Sequence, residues 1–243
     1  MPLDLDGATI VFDLDGTLVD TAPDLAAAAN HALALIGLAP VSAAELHPFI
    51  GHGSRAMIDA GLRFHNKSVS DAELSRLHDE FLVFYSANVA VASRPFDGIA
   101  EVLDELAAAG ARLAVCTNKV EHLSKVLLKA LKLDRRFAAI AGRDTFDVFK
   151  PAPGHLTLTI AMAGGRPDRA VMVGDSEVDI ATAAAAGVPS IGVKFGYTPR
   201  PVAEFSPGAV IGHYREFMPA LAKVLAPREQ RTDAQRGGLH NVR

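Results

Sequence analysis

The chain has 243 residues, 49% of them hydrophobic, and its 28 acidic against 24 basic side chains give a formal net charge of −4. A chain of this length and hydrophobic content can bury a substantial core, which excludes disorder of the whole chain. The negative charge offers no general attraction for nucleic acid or anionic membranes. We find no basic patch in residues 1–226 and expect neither partner.

The single cysteine, Cys116, has no second cysteine with which to form a disulfide or a zinc site. This count is typical of a reducing compartment, so we expect a cytoplasmic protein. The first residues lack the basic and apolar regions of a signal peptide. Polar residues, Gly37 and Pro40 interrupt the uncharged segment 26–44, so we expect no membrane span.

Short apolar runs that end in polar residues recur along the chain and predict buried strands. They cover residues 9–13, 113–118, 170–175 and 190–194, with weaker candidates at 138–141 and 209–211. Helical patterns lie between them, such as Val102, Leu103 and Leu106, which are followed by Gly110. This alternation predicts an α/β fold, a doubly wound, Rossmann-like parallel sheet with helices on both faces.

The stretch from Asp20 to Ala92 interrupts that alternation, because it contains no convincing strand and several helix starts. Thr21 with Pro23 opens one helix, and Ser42 and Ser70 each precede a glutamate at the spacing of a capping box. An amphipathic stripe follows at Leu74, Leu77, Phe81 and Phe84. The predicted domains are a core of residues 1–18 and 93–226, an inserted helical cap of residues 19–92, and a flexible tail of residues 227–243.

The strongest chemical motif follows the first predicted strand and contains Asp13 and Asp15. Residues two apart in an extended chain project to the same side, and open α/β sheets bind their ligands beyond the carboxyl ends of the strands. Two adjacent carboxylates repel each other unless a cation lies between them. The pair therefore indicates a hard divalent ion.

Three more strand ends carry polar groups of complementary chemistry. Thr117 and Asn118 offer a hydroxyl and an amide, Lys150 precedes a proline-rich turn, and Asp175 and Asp179 lie one helical turn apart. Each alone has a more ordinary explanation, as a helix cap or a solvated side chain. Together at one sheet edge they favour phosphoryl transfer through an aspartyl-phosphate.

In this order the four motifs resemble the haloacid dehalogenase-like superfamily, and the helical insertion is similar to that of its helical-cap members. Within it, segments 13–25, 93–99, 116–119 and 150–156 resemble the bacterial phosphoglycolate phosphatases. The resemblance implies a Mg²⁺-dependent phosphoric monoester hydrolase. Its substrate would be a small phosphorylated metabolite, with 2-phosphoglycolate favoured.

The resemblance also implies residue roles. Asp13 would be the nucleophile, and Asp15 the general acid/base. Thr117 and Asn118 would bind the phosphoryl group, and Lys150 would orient Asp13. The ligands of Mg²⁺ would be Asp13, the backbone carbonyl of Asp15, and Asp175. Asp179 would either bind the ion directly or support a ligand.

A further candidate is Arg55, in a glycine-rich segment at 51–56 of the predicted cap. No strand precedes that segment, which argues against a dinucleotide site. In the superfamily such a turn faces the active site, so Arg55 could pair with a substrate carboxylate, although an exposed arginine on a cap helix is the simpler interpretation.

Other functions remain open at this stage. Another small-molecule phosphatase or a sugar phosphomutase would use the same motifs, whereas a dehalogenase would not need Asp15. A receiver-like module or a catalytically inactive phosphate-binding protein would belong to a different functional class. The sequence is compatible with a monomer or a homodimer.

Overall fold

The computed structural model describes residues 3–226, and the predicted tail at 227–243 lies outside them. The strands are β1 Thr9–Phe12, β2 Val19–Asp20, β3 Arg94–Pro95, β4 Arg112–Cys116, β5 Ala139–Ala141, β6 Ala170–Gly174, β7 Ser190–Val193 and β8 Ala209–Ile211. The helices are α1 Ala22–Ala34, α2 Ala43–Leu46, α3 Ser54–Phe64, α4 Asp71–Ala87, α5 Ile99–Ala108, α6 Glu121–Ala130, α7 Pro153–Met162, α8 Glu177–Ala185 and α9 Phe217–Leu225. Short 3-10 turns, including His47–His52, join several of them.

Six strands form one parallel sheet in the order β5-β4-β1-β6-β7-β8. Each of the six predicted apolar runs contributes one of these strands, so the predicted α/β fold is confirmed. The central strand is β1, in which Phe12 aligns with Val115 of β4 and with Val173 of β6. This register brings the ends of three strands to the same level at one edge of the sheet.

Both faces of the sheet are buried, which explains why the strands are apolar throughout. Ile10 and Phe12 pack in a large cluster on one side, whereas Val11 packs in a second cluster on the other side. Successive side chains of a strand point to opposite faces, so a strand covered on both sides must be apolar at every position.

Helices α1 to α4 pack on one another and bury Leu33, Met57, Leu77 and Phe81. Their starts follow the predicted capping signals. Thr21 precedes α1, with a proline in its first turn, and Ser42 forms a complete capping box. None of the helices within residues 3–226 has the length and hydropathy needed to cross a bilayer.

An antiparallel ribbon of β2 and β3, which the apolar patterns did not predict, closes the base of this helical insertion. Its two strands are only two residues long, too short to produce a recognisable pattern in the sequence. We propose that residues 19–92 form the cap and that the ribbon marks its junction with the core.

The carboxylate of Asp24, buried in α1, ties the start of the cap to the chain that leaves it. It accepts hydrogen bonds from the backbone N–H groups of Ala92 and Ser93, at 2.8 to 3.1 Å, and from the Ser93 hydroxyl at 2.7 Å. Charge-assisted hydrogen bonds in a buried setting are among the stronger polar interactions. Asp24 therefore fixes both ends of the insertion at one point.

Replacing this carboxylate should destabilise the protein. We expect Asp24→Ala to lower the free energy of unfolding by about 2–3 kcal/mol, because it leaves several buried donors without an acceptor. Chemical denaturation measures the loss. Asp79→Ala, at an exposed position of α4, is the matched control and should change it by less than about 0.5 kcal/mol. Equal losses in the two variants would contradict the assigned role.

Candidate active site

Asp13 is the first residue after β1, and its side chain is held by a buried cation. Lys150 Nζ lies 3.0 Å from Asp13 Oδ1, and the N–H of Leu14 donates to the same oxygen at 2.7 Å. Lys150 is only 2% exposed. No hydrogen bond within residues 3–226 reaches the second oxygen of Asp13, so that atom is available for chemistry.

Asp175 lies directly after β6 and Asp179 in the first turn of α8, and both carboxylates enter the same site. Asp175 accepts hydrogen bonds from the Thr17 hydroxyl at 3.2 Å and from the N–H of Tyr197 at 2.7 Å. Asp179 Oδ1 lies 2.5 Å from Lys150 Nζ, and its Oδ2 accepts from the backbone and hydroxyl of Ser176. Asp175 therefore accepts from neutral donors, whereas Asp179 also pairs with a lysine.

Two glycines allow these carboxylates to lie against the backbone. A Cβ at Gly196 would come within 2.2 Å of Asp175 Cβ, and a Cβ at Gly174 would come within 2.4 Å of Asp179 Cβ. Neither distance is possible between non-bonded carbon atoms. Glycine is therefore required at both positions by the close approach.

The carboxylates of Asp13, Asp175 and Asp179 could hold a metal ion. Their ligand oxygens lie within 4.8 Å of one another. Burial, with the charge of Asp179, raises the pKa of Asp13 and of Asp175 above the ordinary range, although Lys150 opposes this shift at Asp13. One lysine does not neutralise three carboxylates, and an all-oxygen donor set suits a hard divalent cation. The residues present therefore fit such an ion.

The structure places the Asp15 carboxylate away from this cluster. Its two oxygens lie 3.1 and 3.2 Å from Lys119 Nζ, which also donates to the Tyr85 hydroxyl at 2.9 Å. The expectation that Asp13 and Asp15 share one cation assumed an extended chain. Strand β1 stops at Phe12, however, and the chain turns through residues 13–17, so the alternation of side chains ends there.

Thr117 and Asn118 follow β4, as predicted, but they differ in what they present. Thr117 is buried, and its Oγ1 accepts from the N–H of Lys119 at 3.2 Å, which leaves the hydroxyl hydrogen for an anion. The Asn118 amide donates to the carbonyl of Lys150 at 2.9 Å and accepts from its N–H at 3.1 Å. Its side chain therefore positions the Lys150 backbone rather than offering its amide to a phosphoryl group.

A cavity of about 680 Å³ joins the sheet edge to the helical insertion. Its lining includes Asp13, Asp15, Thr117, Lys119, Lys150 and Asp175 from the sheet side, and Arg55, His78 and Tyr85 from the insertion. Arg55, at the start of α3, is exposed and donates to the Ser75 hydroxyl at 3.3 Å. The structure thus brings every predicted site residue to one cavity except Asp179, which lies buried behind its wall.

Comparison with known proteins is consistent with this geometry. The family model described as haloacid dehalogenase-like hydrolase matches residues 10–193. The chain belongs to this family. The predicted superfamily is thereby confirmed, and the matched region includes every predicted site residue of this haloacid dehalogenase-like hydrolase.

Two proteins named phosphoglycolate phosphatase illustrate how similar its relatives are. One from Mesorhizobium japonicum is 51% identical over 89% of this chain and 95% of its own length. Another from Agrobacterium fabrum is 47% identical over 88% and 92%. A crystal structure described as a predicted phosphoglycolate phosphatase from Haemophilus somnus has a TM-score of 0.82 at 29% identity, over 88% of this chain and 97% of that one.

Several contacts of this haloacid dehalogenase-like hydrolase were not identified from its sequence. In the sequence, Lys119 is included only within the segment 116–119, and no pattern assigns a site contact to Tyr85. The sequence gives no signal for Tyr197, whose N–H donates to Asp175. A lysine directly after Thr117 and Asn118 was a usable signal, but the partners of Tyr85 and Tyr197 are distant in sequence and no local pattern identifies them.

His155 supports the lysine at the centre of the site. Its Nδ1 accepts from the N–H of Lys150 at 3.2 Å, and its Nε2 lies 3.1 Å from the carbonyl of Gly142, which assigns a neutral ring with the proton on Nε2. Burial and the charge of Lys150 lower the pKa of His155 to about 4. Protonation would remove one of the two acceptors of the Lys150 N–H and leave Asn118 Oδ1 as the other.

This depressed pKa predicts an acid-sensitive contribution to stability. The contribution is complete above the ordinary pKa of 6.5 and is lost as the pH falls toward about 4, because only the unfolded chain takes up the proton. We expect the stability difference between the wild type and His155→Gln to shrink by about 2 kcal/mol between pH 7.5 and pH 5.

Denaturant titrations at the two pH values measure this difference. The site carboxylates titrate in both proteins, so their contribution to the pH dependence of stability cancels in the difference between the wild type and the variant. His122→Gln, at an exposed position of α6, should show no such change. A pH-independent difference for His155→Gln would show that the histidine is not the titrating group.

Proposed function

We propose that the protein is a Mg²⁺-dependent phosphatase that hydrolyses 2-phosphoglycolate to glycolate and phosphate. The observation that carries this proposal is the Asp13 carboxylate, held at one oxygen by Lys150 and with no hydrogen bond to the other, beside a carboxylate cluster that fits a divalent ion. Three relatives at 42–51% identity over most of the chain, named phosphoglycolate phosphatase, support the choice of substrate.

In the first step, the Asp13 oxygen that has no hydrogen bond attacks phosphorus and forms an aspartyl-phosphate. Lys150 holds the other oxygen at 3.0 Å and so orients the nucleophile. The Thr117 hydroxyl donates to a phosphoryl oxygen, and Asn118 acts indirectly, by fixing the backbone of Lys150. Arg55 lines the cavity from the insertion, and we keep it among the proposed substrate contacts.

Asp15 transfers the proton. Protonated Asp15 donates to the ester oxygen as it leaves with the bonding electron pair, and glycolate forms. The resulting carboxylate then takes a proton from the water that attacks the aspartyl-phosphate, which releases phosphate and restores Asp13. Lys119 holds the Asp15 carboxylate in the cavity through both oxygens.

The residues proposed to hold Mg²⁺ are Asp13, Asp175 and the backbone carbonyl of Asp15. When bound, the ion would supply positive charge beside the phosphoryl oxygens. We assign Asp179 a supporting position, because it is fully buried, does not line the cavity as Asp175 does, and holds the Lys150 ammonium with one of its oxygens.

The cellular setting forms part of the same proposal. The protein would act in the cytoplasm on a small phosphorylated metabolite, without nucleic acid or membrane as partner, as a monomer or a homodimer. The acidic chain and its single buried cysteine support this setting.

A substrate panel tests the proposed activity. With Mg²⁺ present, we expect kcat/KM for 2-phosphoglycolate to exceed that for hexose phosphates, pyrophosphate and nucleotides by about a hundredfold, or about 2.7 kcal/mol in transition-state binding. Chelation with EDTA should abolish turnover, and added Mg²⁺ should restore it. A better rate with a hexose phosphate would instead indicate another phosphatase or a phosphomutase, and no phosphate release at all would indicate a non-catalytic protein.

Substitution of the two proposed catalytic carboxylates tests the mechanism. Asp13→Asn should reduce turnover by about a thousandfold or more, since an amide is a poor nucleophile, and should keep the fold. Asp15→Asn should slow both steps and leave phosphorylated enzyme, visible by mass spectrometry after acid quenching. Asp79→Asn, at an exposed position, is the control. Rapid phosphate release by folded Asp13→Asn would exclude Asp13 as the nucleophile.

A further inference from the structure

Lys119 is a second buried lysine beside the proposed catalytic groups. Its side chain is 7% exposed and lies between Asp15 and Tyr85. Besides the hydrogen bonds to both residues, its ammonium lies 4.4 Å from the centre of the Tyr85 ring. The lysine thus connects the proposed acid/base to a helix of the insertion.

The ammonium of Lys119 has donor capacity for a ligand. The group pairs with the Asp15 carboxylate, with 3.1 Å between Lys119 Nζ and Asp15 Oδ1. An ammonium carries three N–H donors. One N–H shared between the two Asp15 oxygens and one given to Tyr85 leave the third for a molecule in the cavity that Lys119 lines.

The other cations around the cavity are already engaged or lie at its exposed rim. The set among the described residues comprises Lys119, Lys150, Arg55, Arg143 and Arg200. Lys150 is held by Asp13 and Asp179. Arg143 stacks on the Phe149 ring, and Arg200 pairs with Glu204. Lys119 is therefore the buried cation that contacts the proposed acid/base directly.

We propose that Lys119 binds the carboxylate of the substrate and so selects a phosphoester that carries a carboxylate next to the ester carbon. This inference rests on the proposed function. In 2-phosphoglycolate a single CH₂ group separates the ester oxygen from the carboxylate. A substrate whose ester oxygen meets Asp15 therefore brings its carboxylate within reach of Lys119, which contacts that same aspartate.

This contact would make the enzyme selective for substrates with a carboxylate, rather than increase its rate with every phosphoester. A buried site that provides a charged donor strongly disfavours an analogue without the matching acceptor, because its own group then stays unpaired. A phosphoester of the same size without the carboxylate would use Asp13, Asp15 and Lys150 equally well but would gain nothing from the free N–H of Lys119.

The test compares 2-phosphoglycolate with ethyl phosphate, in which a methyl group replaces the carboxylate. We expect Lys119→Met to lower kcat/KM for 2-phosphoglycolate at least about thirtyfold more than for ethyl phosphate. Some loss common to both substrates is expected, since Lys119 also holds Asp15. Tyr85→Phe is the matched control, because it removes the other partner of Lys119 and keeps the charge. It should affect the two substrates equally.

Calorimetry gives a readout that does not depend on turnover. In the Asp13→Asn background with Mg²⁺, adding Lys119→Met should weaken binding of glycolate at least about tenfold. If the methionine variant does not fold, Lys119→Gln keeps an N–H donor without the charge and allows the same comparisons.

The outcomes separate this inference from the proposed function. A wild type with no preference for 2-phosphoglycolate would overturn both. A wild type with that preference, combined with equal losses for the two substrates in Lys119→Met, would overturn the inference alone and leave Lys119 as a positioning residue for Asp15. Arg55→Ala could instead lower kcat/KM selectively for 2-phosphoglycolate while Lys119→Met does not. That result would assign the substrate carboxylate to Arg55 of the insertion and would also overturn the inference about Lys119.

Discussion

The site depends on one buried ammonium, that of Lys150, placed between the carboxylates of Asp13 and Asp179. Buried charges are costly unless they are paired and hydrogen-bonded, and removing one partner leaves the other uncompensated. The surrounding structure meets this requirement. Asn118 and His155 fix the Lys150 backbone, and Ser176 fixes the second oxygen of Asp179. The parallel register of β1 and β6 then determines where Asp13 and Asp175 meet.

The helical insertion is joined to this charge network at several points. The Tyr197 hydroxyl accepts from the N–H groups of Thr21 and Ala22 and donates to Asp20, while its own N–H donates to Asp175. A single residue thus connects the carboxylate cluster to the chain entering the insertion. Tyr85 makes a second connection, through Lys119 to Asp15. The positions of Asp15 and of the carboxylate cluster therefore both depend on how the helical insertion packs against the sheet edge.

Much of this arrangement follows from short-range patterns in the sequence. Each strand of the main sheet is an apolar run with a polar end, and parallel strands must present those ends at one edge. This reasoning predicted the meeting of Asp13, Lys150 and Asp175. It could not predict the partner of Asp15, because the chain turns after Asp13, or the contact of Lys119 with Tyr85, because those residues lie 34 positions apart on different elements. Pairings of that kind are decided by tertiary packing.

The charges in the site also suggest an order of events. Asp13, Asp15, Asp175 and Asp179, when ionised, face two lysines, Lys119 and Lys150, which leaves two negative charges without a partner. A phosphoryl dianion would be repelled by that surplus, and a divalent cation bound at the cluster would cancel it. Under the proposed function, binding of the ion would then precede productive binding of the substrate. A carboxylate on the substrate would add one more negative charge, and the N–H of the Lys119 ammonium that neither Asp15 nor Tyr85 uses would be its donor.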